Sequence, residues 1–402
     1  MNNLDGYLDI VGDRVIHSIY KKMRGLYDRH ILHINSTFSG GGVAEILASL
    51  VPLMNDIGID AGWRILHGTT DFFEITKKFH NGLQGEPINV SDIKKHLYAQ
   101  ASQEFSTYTH INAHDYVIVH DPQPLPLIKY YRKRQPWIWR CHIDLSSPDQ
   151  KLWAFLKRYM LNYDIVIVSS EMYMSSDLPV EYRIIMPAIN PLIHKNKVIP
   201  DSLIDKTFKK HNIPTDKPFI TQISRFDKWK DPLGVLDVFQ HVREKVDCRL
   251  VLCGNMAADD PEGWEIYEEV RRKAKPFIES GDVVLVTIES SILVNALQRK
   301  AAVVVQKSLR EGFGLTVTEA LWKKRPVVAS KVGGIPLQIH DGENGYLLEP
   351  NDIEGFADRI VEIIKHPDHA RELGQSAKET VRENFLMTRV LSDYLDLLNY
   401  LS

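Results

Sequence analysis

Short apolar runs recur along this chain, and between them apolar positions return at helical spacing. In the first half the runs 31–34, 63–66, 116–119, 137–141 and 164–168 predict strands. Helices are predicted from Leu8 to Leu26, from Val43 to Met54, from Asp92 to Tyr108 and from Lys151 to Leu161. Alternation of this kind implies a parallel sheet covered on both faces. The stretch from Met186 to Pro218 breaks the rhythm with Pro187, Pro191, Pro200, Pro214 and Pro218, and it reads as a linker carrying one short helix of little apolar surface near 203–211. Strands are then predicted over 219–223, 249–253, 283–287, 303–306 and 327–329, with helices between them. The expected class is therefore α/β, with two Rossmann-like, doubly wound parallel-sheet domains facing a central cleft. Their expected bounds are 1–190 and 191–385, and the final helix, 386–402, is expected to cross back to the first domain.

Length supports two or three domains, because 402 residues exceed one ordinary core. A 44% hydrophobic and 25% charged composition is that of an average globular protein. With a net charge of −3 no global field recruits nucleic acid or an anionic membrane, and neither is expected as a partner. Cys141, Cys248 and Cys253 lie inside apolar runs without metal spacing, a usage that suits a reducing cytosol. The start of the chain lacks a signal-peptide pattern, and no apolar run approaches the ~18 residues that span a bilayer. A soluble, cytoplasmic protein is the expectation.

The chemistry concentrates at strand ends. In SLREGFGLTVTEALW a glycine-punctuated turn opens a helix, so backbone N–H groups and the positive end of the helix dipole await an anion. Glu311 precedes the turn and Glu319 lies eight residues on, inside the helix. Eight helical residues rise about 12 Å, whereas a retaining hydrolase needs carboxyls about 5–5.5 Å apart. The two glutamates are thus expected to serve different parts of one extended ligand. Arg225 and Lys230, in SRFDKWKDP, could clasp a diphosphate. Gly40, Gly41 and Gly42 follow the first strand and permit close backbone approach to a bulky anion, although a plain flexible turn reads the same way. His120, Asp121, Gln123, His142 and Asp144 crowd two neighbouring strand ends. Turn chemistry or a buried hydrogen bond would also account for any one of them. His110 and His114 are four apart without a third ligand, and no metal site is expected.

Taken together, these residues resemble a family-four retaining glycosyltransferase of the GT-B fold. The resemblance rests on the early Gly-Gly loop, on SRFDKWKDP, on EGFGLTVTEA with its Glu-x7-Glu, and on RPVVASKVGG and DGENGYLLEP. Within that family, NSTFSGGGVAEILASLVPLM, VHDPQPLPLI and WRCHIDLSSPD resemble trehalose synthases of the glycosyltransferring type, enzymes that join a nucleotide-activated glucose to free glucose. Two positions depart from the pattern: Thr316 stands where many relatives carry Pro, and Lys324-Arg325 replaces a common Gly. The resemblance implies that Arg225 and Lys230 hold the donor diphosphate and that Glu319 binds the ribose. It implies that Glu311 and the Phe313-Gly314-Leu315 backbone hold the donor glucose, and that Gly41 and Gly42 approach the phosphates. His142 is expected at the reacting sugar, the acceptor near Asp121, Gln123 and Asp144, and the base near Gly254, Thr287 and Ile288. The resemblance implies UDP-, ADP- or GDP-glucose as the donor and glucose as the acceptor. No cofactor is required, Mg²⁺ is a possible counter-ion of the nucleotide, and a homodimer is expected. A relative with another acceptor, a GT-B nucleotide-sugar epimerase and a nonenzymatic sugar-nucleotide sensor are the alternative readings.

Overall fold

The computed structural model describes residues 3–39, 41–254 and 261–402, apart from the side chains of 261 and 262. The chain divides into two compact units, Met1–Ala188 together with Met387–Ser402, and Ile189–Leu386.

The first unit holds a six-stranded parallel sheet in the order β2-β1-β3-β4-β5-β6. Its strands are β1 (His30–Asn35), β2 (Asp60–Ile65), β3 (Tyr116–His120), β4 (Trp137–Arg140), β5 (Ile165–Val168) and β6 (Glu181–Ile184). The central strands are almost wholly buried, which explains their continuous apolar runs. The helices Thr70–Leu83, Asp92–Ser106 and Gln150–Met160 share a core with these strands through Phe72, Phe79, Tyr98, Trp137, Trp139 and Leu152. Sequence reading omitted the Thr70–Leu83 helix and β6. The expected N-terminal helix is broken at Gly12, whose φ of +79° ends one short helix before Asp13–Met23 begins.

The second unit repeats the design in the order β12-β11-β10-β7-β8-β9, again all parallel. Here β7 is Phe219–Ile223, β8 Arg249–Cys253, β9 Val283–Val286, β10 Val303–Gln306, β11 Val327–Ser330 and β12 Tyr346–Leu348. The proline-rich stretch is more than a linker. Ile199, Ile204, Phe208 and Ile213 are buried, and the helix Asp201–Lys210 packs beside the helix Ser291–Lys300.

The final helix, Met387–Tyr400, packs on the helices Asp13–Met23 and Gly42–Asp56 of the first unit. Asn399 Nδ2 donates to the Lys22 carbonyl at 2.8 Å, and Leu391, Tyr394, Leu395 and Leu398 are buried.

Each sheet has one point where the strand order reverses, between β1 and β3 and between β7 and β10. Loops leaving the carboxyl ends of strands diverge at such a point and open a crevice for ligands. Gly41 follows β1 and Asp121 and Gln123 follow β3, and Arg225 and Lys230 follow β7 and Glu311 follows β10, whereas His142 and Asp144 follow β4, Gly254 follows β8, and Thr287 and Ile288 follow β9.

Candidate active site

At the switch point of the second sheet the loop after β7 meets the loop after β10. Lys230 Nζ lies 2.6 Å from Glu311 Oε2, and both side chains are largely buried. Ser308 Oγ at 3.3 Å and Gln306 Nε2 at 3.4 Å donate to the same carboxylate oxygen. Thr316 Oγ1 donates to Gln306 Oε1 at 3.0 Å, a contact that a proline at this position could not make. Gln222, at the end of β7, ties the two loops together. Its Nε2 donates to the Lys230 carbonyl at 2.8 Å, and its Oε1 accepts from the Lys307 amide at 2.9 Å. The buried Lys307 ammonium pairs with Asp231, which sits at φ +44° and caps the helix Pro232–Arg243. Burying a lysine without such a partner would cost several kcal/mol.

The turn opens the helix Leu315–Trp322 at Gly314, whose φ of +87° favours glycine. Gln338 clamps this turn, with Nε2 donating to the Phe313 carbonyl at 2.6 Å and Oε1 accepting from Thr318 Oγ1 at 2.6 Å. Gly334 is pressed against it so closely that a Cβ there would lie 2.7 Å from the Gly312 carbonyl oxygen. Four of the expected donor residues, Lys230, Glu311, Phe313 and Gly314, are therefore brought together at this turn.

The other donor residues lie apart from that pair. Arg225 is 3.4 Å from Asp227 and keeps 41% of its side-chain exposure. Glu319 is 1% exposed, with Lys195 Nζ at 2.8 Å from Oε1 and Gln298 Nε2 at 3.3 Å from Oε2. Lys323 Nζ extends this network to Asn196 Oδ1 at 2.8 Å and Gln298 Oε1 at 2.7 Å. A ribose could reach Glu319 only after Lys195 gave way. Gly254 has a packing reason to be glycine, since a Cβ would lie 2.4 Å from the Ser224 carbonyl oxygen. Ile288 is exposed and Thr287 half-buried beyond β9.

In the first unit, Gly41 is extended and its Cβ position meets nothing within 4 Å, so space stands open over the start of the helix Gly42–Asp56. Gly40 lies outside the described residues. Phe38 stacks on Trp63 at 5.1 Å, and Trp63 Nε1 donates to Asn35 Oδ1 at 2.8 Å, which anchors the loop leading to these glycines. His142, just beyond β4, belongs to a row of three imidazoles. His33 Nδ1 is 3.0 Å from His120 Nε2, and His120 Nδ1 is 3.0 Å from His142 Nε2. Burial lowers all three, His33 to about 3 and the other two well below the ordinary histidine value, with the Arg140 charge adding to the effect at His120 and His142. Arg140 is fully buried and donates to the carbonyls of Val168 at 2.9 Å and Ile185 at 2.5 Å.

The expected acceptor residues differ in availability. Asp121 has φ +61°, and its Oδ1 accepts the His142 amide at 2.7 Å. Burial raises its carboxyl to about 6, against the pull of that amide and of Arg140. Asp144 is buried, and its Oδ1 accepts the Ser146 amide at 2.9 Å, so it shapes the loop. Gln123 is partly exposed. Sequence reasoning missed His33, Lys195, Gln222, Gln306 and Lys307. Among the described residues, no group of three or more His, Cys, Asp or Glu could hold a metal ion, and no helix is long and apolar enough to cross a membrane.

Comparison with known proteins draws on both units. Residues 33–175 match the family described as trehalose synthase, N-terminal domain, and residues 204–380 match glycosyl transferases group 1. A trehalose synthase of Thermococcus litoralis is 46% identical, with 98% of this chain and 96% of that protein covered. The chain belongs to the trehalose synthase family of GT-B glycosyltransferases. Another member, from Rubrobacter xylanophilus, is 40% identical over 98% of this chain and 96% of its own length. The fold of the family is also that of an α,α-trehalose-phosphate synthase (UDP-forming) from Burkholderia xenovorans, solved with glucose-6-phosphate. That structure matches with a TM-score of 0.73 at 14% identity, over 93% of this chain and 99% of that one. As a family member the chain is a trehalose-related glycosyltransferase.

Proposed function

We propose that the chain is a nucleotide-sugar-dependent hexosyltransferase that moves glucose from UDP-, ADP- or GDP-glucose to free glucose and retains the α configuration, forming α,α-trehalose. The observation that supports this most directly is the Lys230–Glu311 pair, 2.6 Å apart at the start of the helix Leu315–Trp322. A diphosphate needs a cation and helix N–H groups, and a sugar hydroxyl needs a carboxylate. Here one contact holds both in reserve. On donor binding Lys230 exchanges Glu311 for phosphate oxygen, and Glu311 turns to the glucose hydroxyls. Arg225, 41% exposed, swings onto the same diphosphate. Glu319 takes the ribose, while Gly254, Thr287 and Ile288 line the base.

In the reaction the bond from the anomeric carbon to the diphosphate oxygen breaks as the acceptor oxygen bonds to the same face of that carbon. The acceptor proton passes to the departing phosphate oxygen. Negative charge grows on that oxygen, so preorganised Lys230, Arg225 and the helix N–H groups lower the barrier. Mg²⁺ enters this reading only as a counter-ion of the nucleotide. His142 attends the reacting sugar, and the acceptor glucose meets Gln123 and Asp121.

The test is the purified protein with glucose and, separately, UDP-, ADP- and GDP-glucose, with the product linkage read by NMR. The expected result is an α,α-1,1 disaccharide and one nucleoside diphosphate for each glucose consumed. A donor inverted at C2 with glucose untouched would make the chain an epimerase. A donor bound but never turned over would make it a sensor, and maltose converted without nucleotide would remove the nucleotide dependence.

A further inference from the structure

The histidine row extends the reading above, because it determines what His142 offers to a sugar. The register of the sheet builds the row. His33 pairs with Ile118 across β1 and β3, His120 pairs with Arg140 across β3 and β4, and His142 follows two residues later. Successive rings stack with centroids 5.3 Å apart. The inner end is closed by Tyr394 of the final helix, whose ring stands edge-on to His33 at 6.0 Å.

A neutral imidazole carries one donor and one acceptor, so two linked hydrogen bonds admit only two polarities. In the first, His33 Nδ1–H donates to His120 Nε2, and His120 Nδ1–H donates to His142 Nε2. His142 then carries its own proton on Nδ1. In the reverse polarity His33 must carry its proton on Nε2. That atom is buried and has no hydrogen-bond partner, so the reverse polarity strands a donor, while the first leaves only an unpaired acceptor. Orphaned buried donors are the rarer defect in native proteins.

We propose that His33 and His120 are positioning residues that lock His142 into the neutral tautomer protonated on Nδ1, so that an N–H is the group His142 presents to a sugar oxygen. The charged and titratable groups facing the row keep it neutral. Arg140 opposes a proton on His120 or His142, Asp121 is occupied by the His142 amide, and Tyr394 closes the inner end without supplying an acid. A fixed N–H directed at an oxygen that gains charge stabilises it without any proton changing hands.

The test begins with the wild-type protein carrying ¹⁵N-histidine, with His142→Asn used to assign the signals. Two-bond ¹H–¹⁵N spectra should show His142 neutral and protonated on Nδ1 from pH 8 down to about pH 5.5, well below the ordinary imidazole value near 6.5. An Nε2–H form, an average of two tautomers or an ordinary titration would overturn the proposal. In kinetics, His33→Leu should lower kcat about tenfold with donor KM little changed, and should add an acid limb near pH 6.5. His33→Asn, whose amide N–H replaces the lost donor, should restore most of both. Unchanged kinetics and pH profile in His33→Leu would also overturn it. If that variant does not fold, the wild-type spectra decide alone. They need no substrate, so they stand even if no nucleotide-sugar is turned over.

Discussion

The two switch points solve opposite electrostatic problems. On the second sheet the site is built from full charges, matched one to one: Lys230 with Glu311, Lys307 with Asp231, Lys195 with Glu319. On the first sheet it is built from three imidazoles kept uncharged, with Arg140 buried against carbonyl groups nearby. Paired charges suit a highly charged ligand, which can replace one partner without leaving the other bare. Neutral donors suit an uncharged sugar, which brings nothing to neutralise a stray ion. Under the proposed function, the difference would let one sheet topology serve two ligand chemistries.

The largest expected effect breaks the charged side. Lys230→Ala should lower kcat by about 10²–10³, the cost of losing one group that stabilises developing charge. Donor affinity, measured by calorimetry, should fall much less, and near-normal turnover would remove Lys230 from the mechanism.

The neutral side should fail on acidification. The three imidazoles titrate lower in the folded chain than the ordinary value near 6.5, so the unfolded state takes up protons that the folded state refuses. Their contribution is complete above pH 6.5 and is lost as pH falls below it, by roughly 1.4 kcal/mol per pH unit for each imidazole. Asp121 works in the other direction. Its carboxyl is raised to about 6, so the folded state gains its proton first as pH falls and offsets about one histidine between pH 6 and pH 4. Urea midpoints of the first unit's transition at pH 7, 6 and 5 should fall with pH, and fall more steeply between pH 6 and 5 than between pH 7 and 6. The slope should be shallower by one proton in His33→Leu.

Lys195→Met tests whether the pairing itself matters. It leaves Glu319, 1% exposed, without a cation, and should cost about 3 kcal/mol in chemical denaturation. Adding Glu319→Gln should restore most of the stability while donor KM rises, which separates the structural pair from the ribose contact. The smallest effect concerns neither ligand. Lys324 has φ +59°, and Lys324→Gly should raise the thermal midpoint by an amount equivalent to about 0.5–1 kcal/mol.

Much of this architecture was legible because buried parallel strands leave uninterrupted apolar runs. β7, β8 and β10 begin and end where the pattern places them. Of the edge strands, β2 and β9 were legible, whereas β6 (EYRI), half-exposed along its length, and β12, with only three residues, were not. The helix Thr70–Leu83 lay hidden in a polar stretch, though Thr69 does cap it as an N-terminal threonine should. Glu311 and Lys230 could be found from motif spacing. Lys195, Gln222 and Lys307 could not, because each acts through a partner 76 or more residues away in the chain. His33 left a signal that spacing alone does not weigh, a polar residue inside an otherwise buried strand. Asp144 is ambiguous in sequence for the complementary reason, since an aspartate after a strand serves a turn as readily as a ligand.

The return of the helix Met387–Tyr400 to the first unit has a consequence for biosynthesis. Residues 189–386 must be translated before this helix leaves the ribosome, a delay of about 10–40 s at roughly 5–20 residues per second. Throughout that interval the nascent first unit lacks Leu391, Tyr394, Leu395 and Leu398, and the apolar surface they cover is open to chaperones. His33 lacks the Tyr394 ring as a neighbour until that helix has been made.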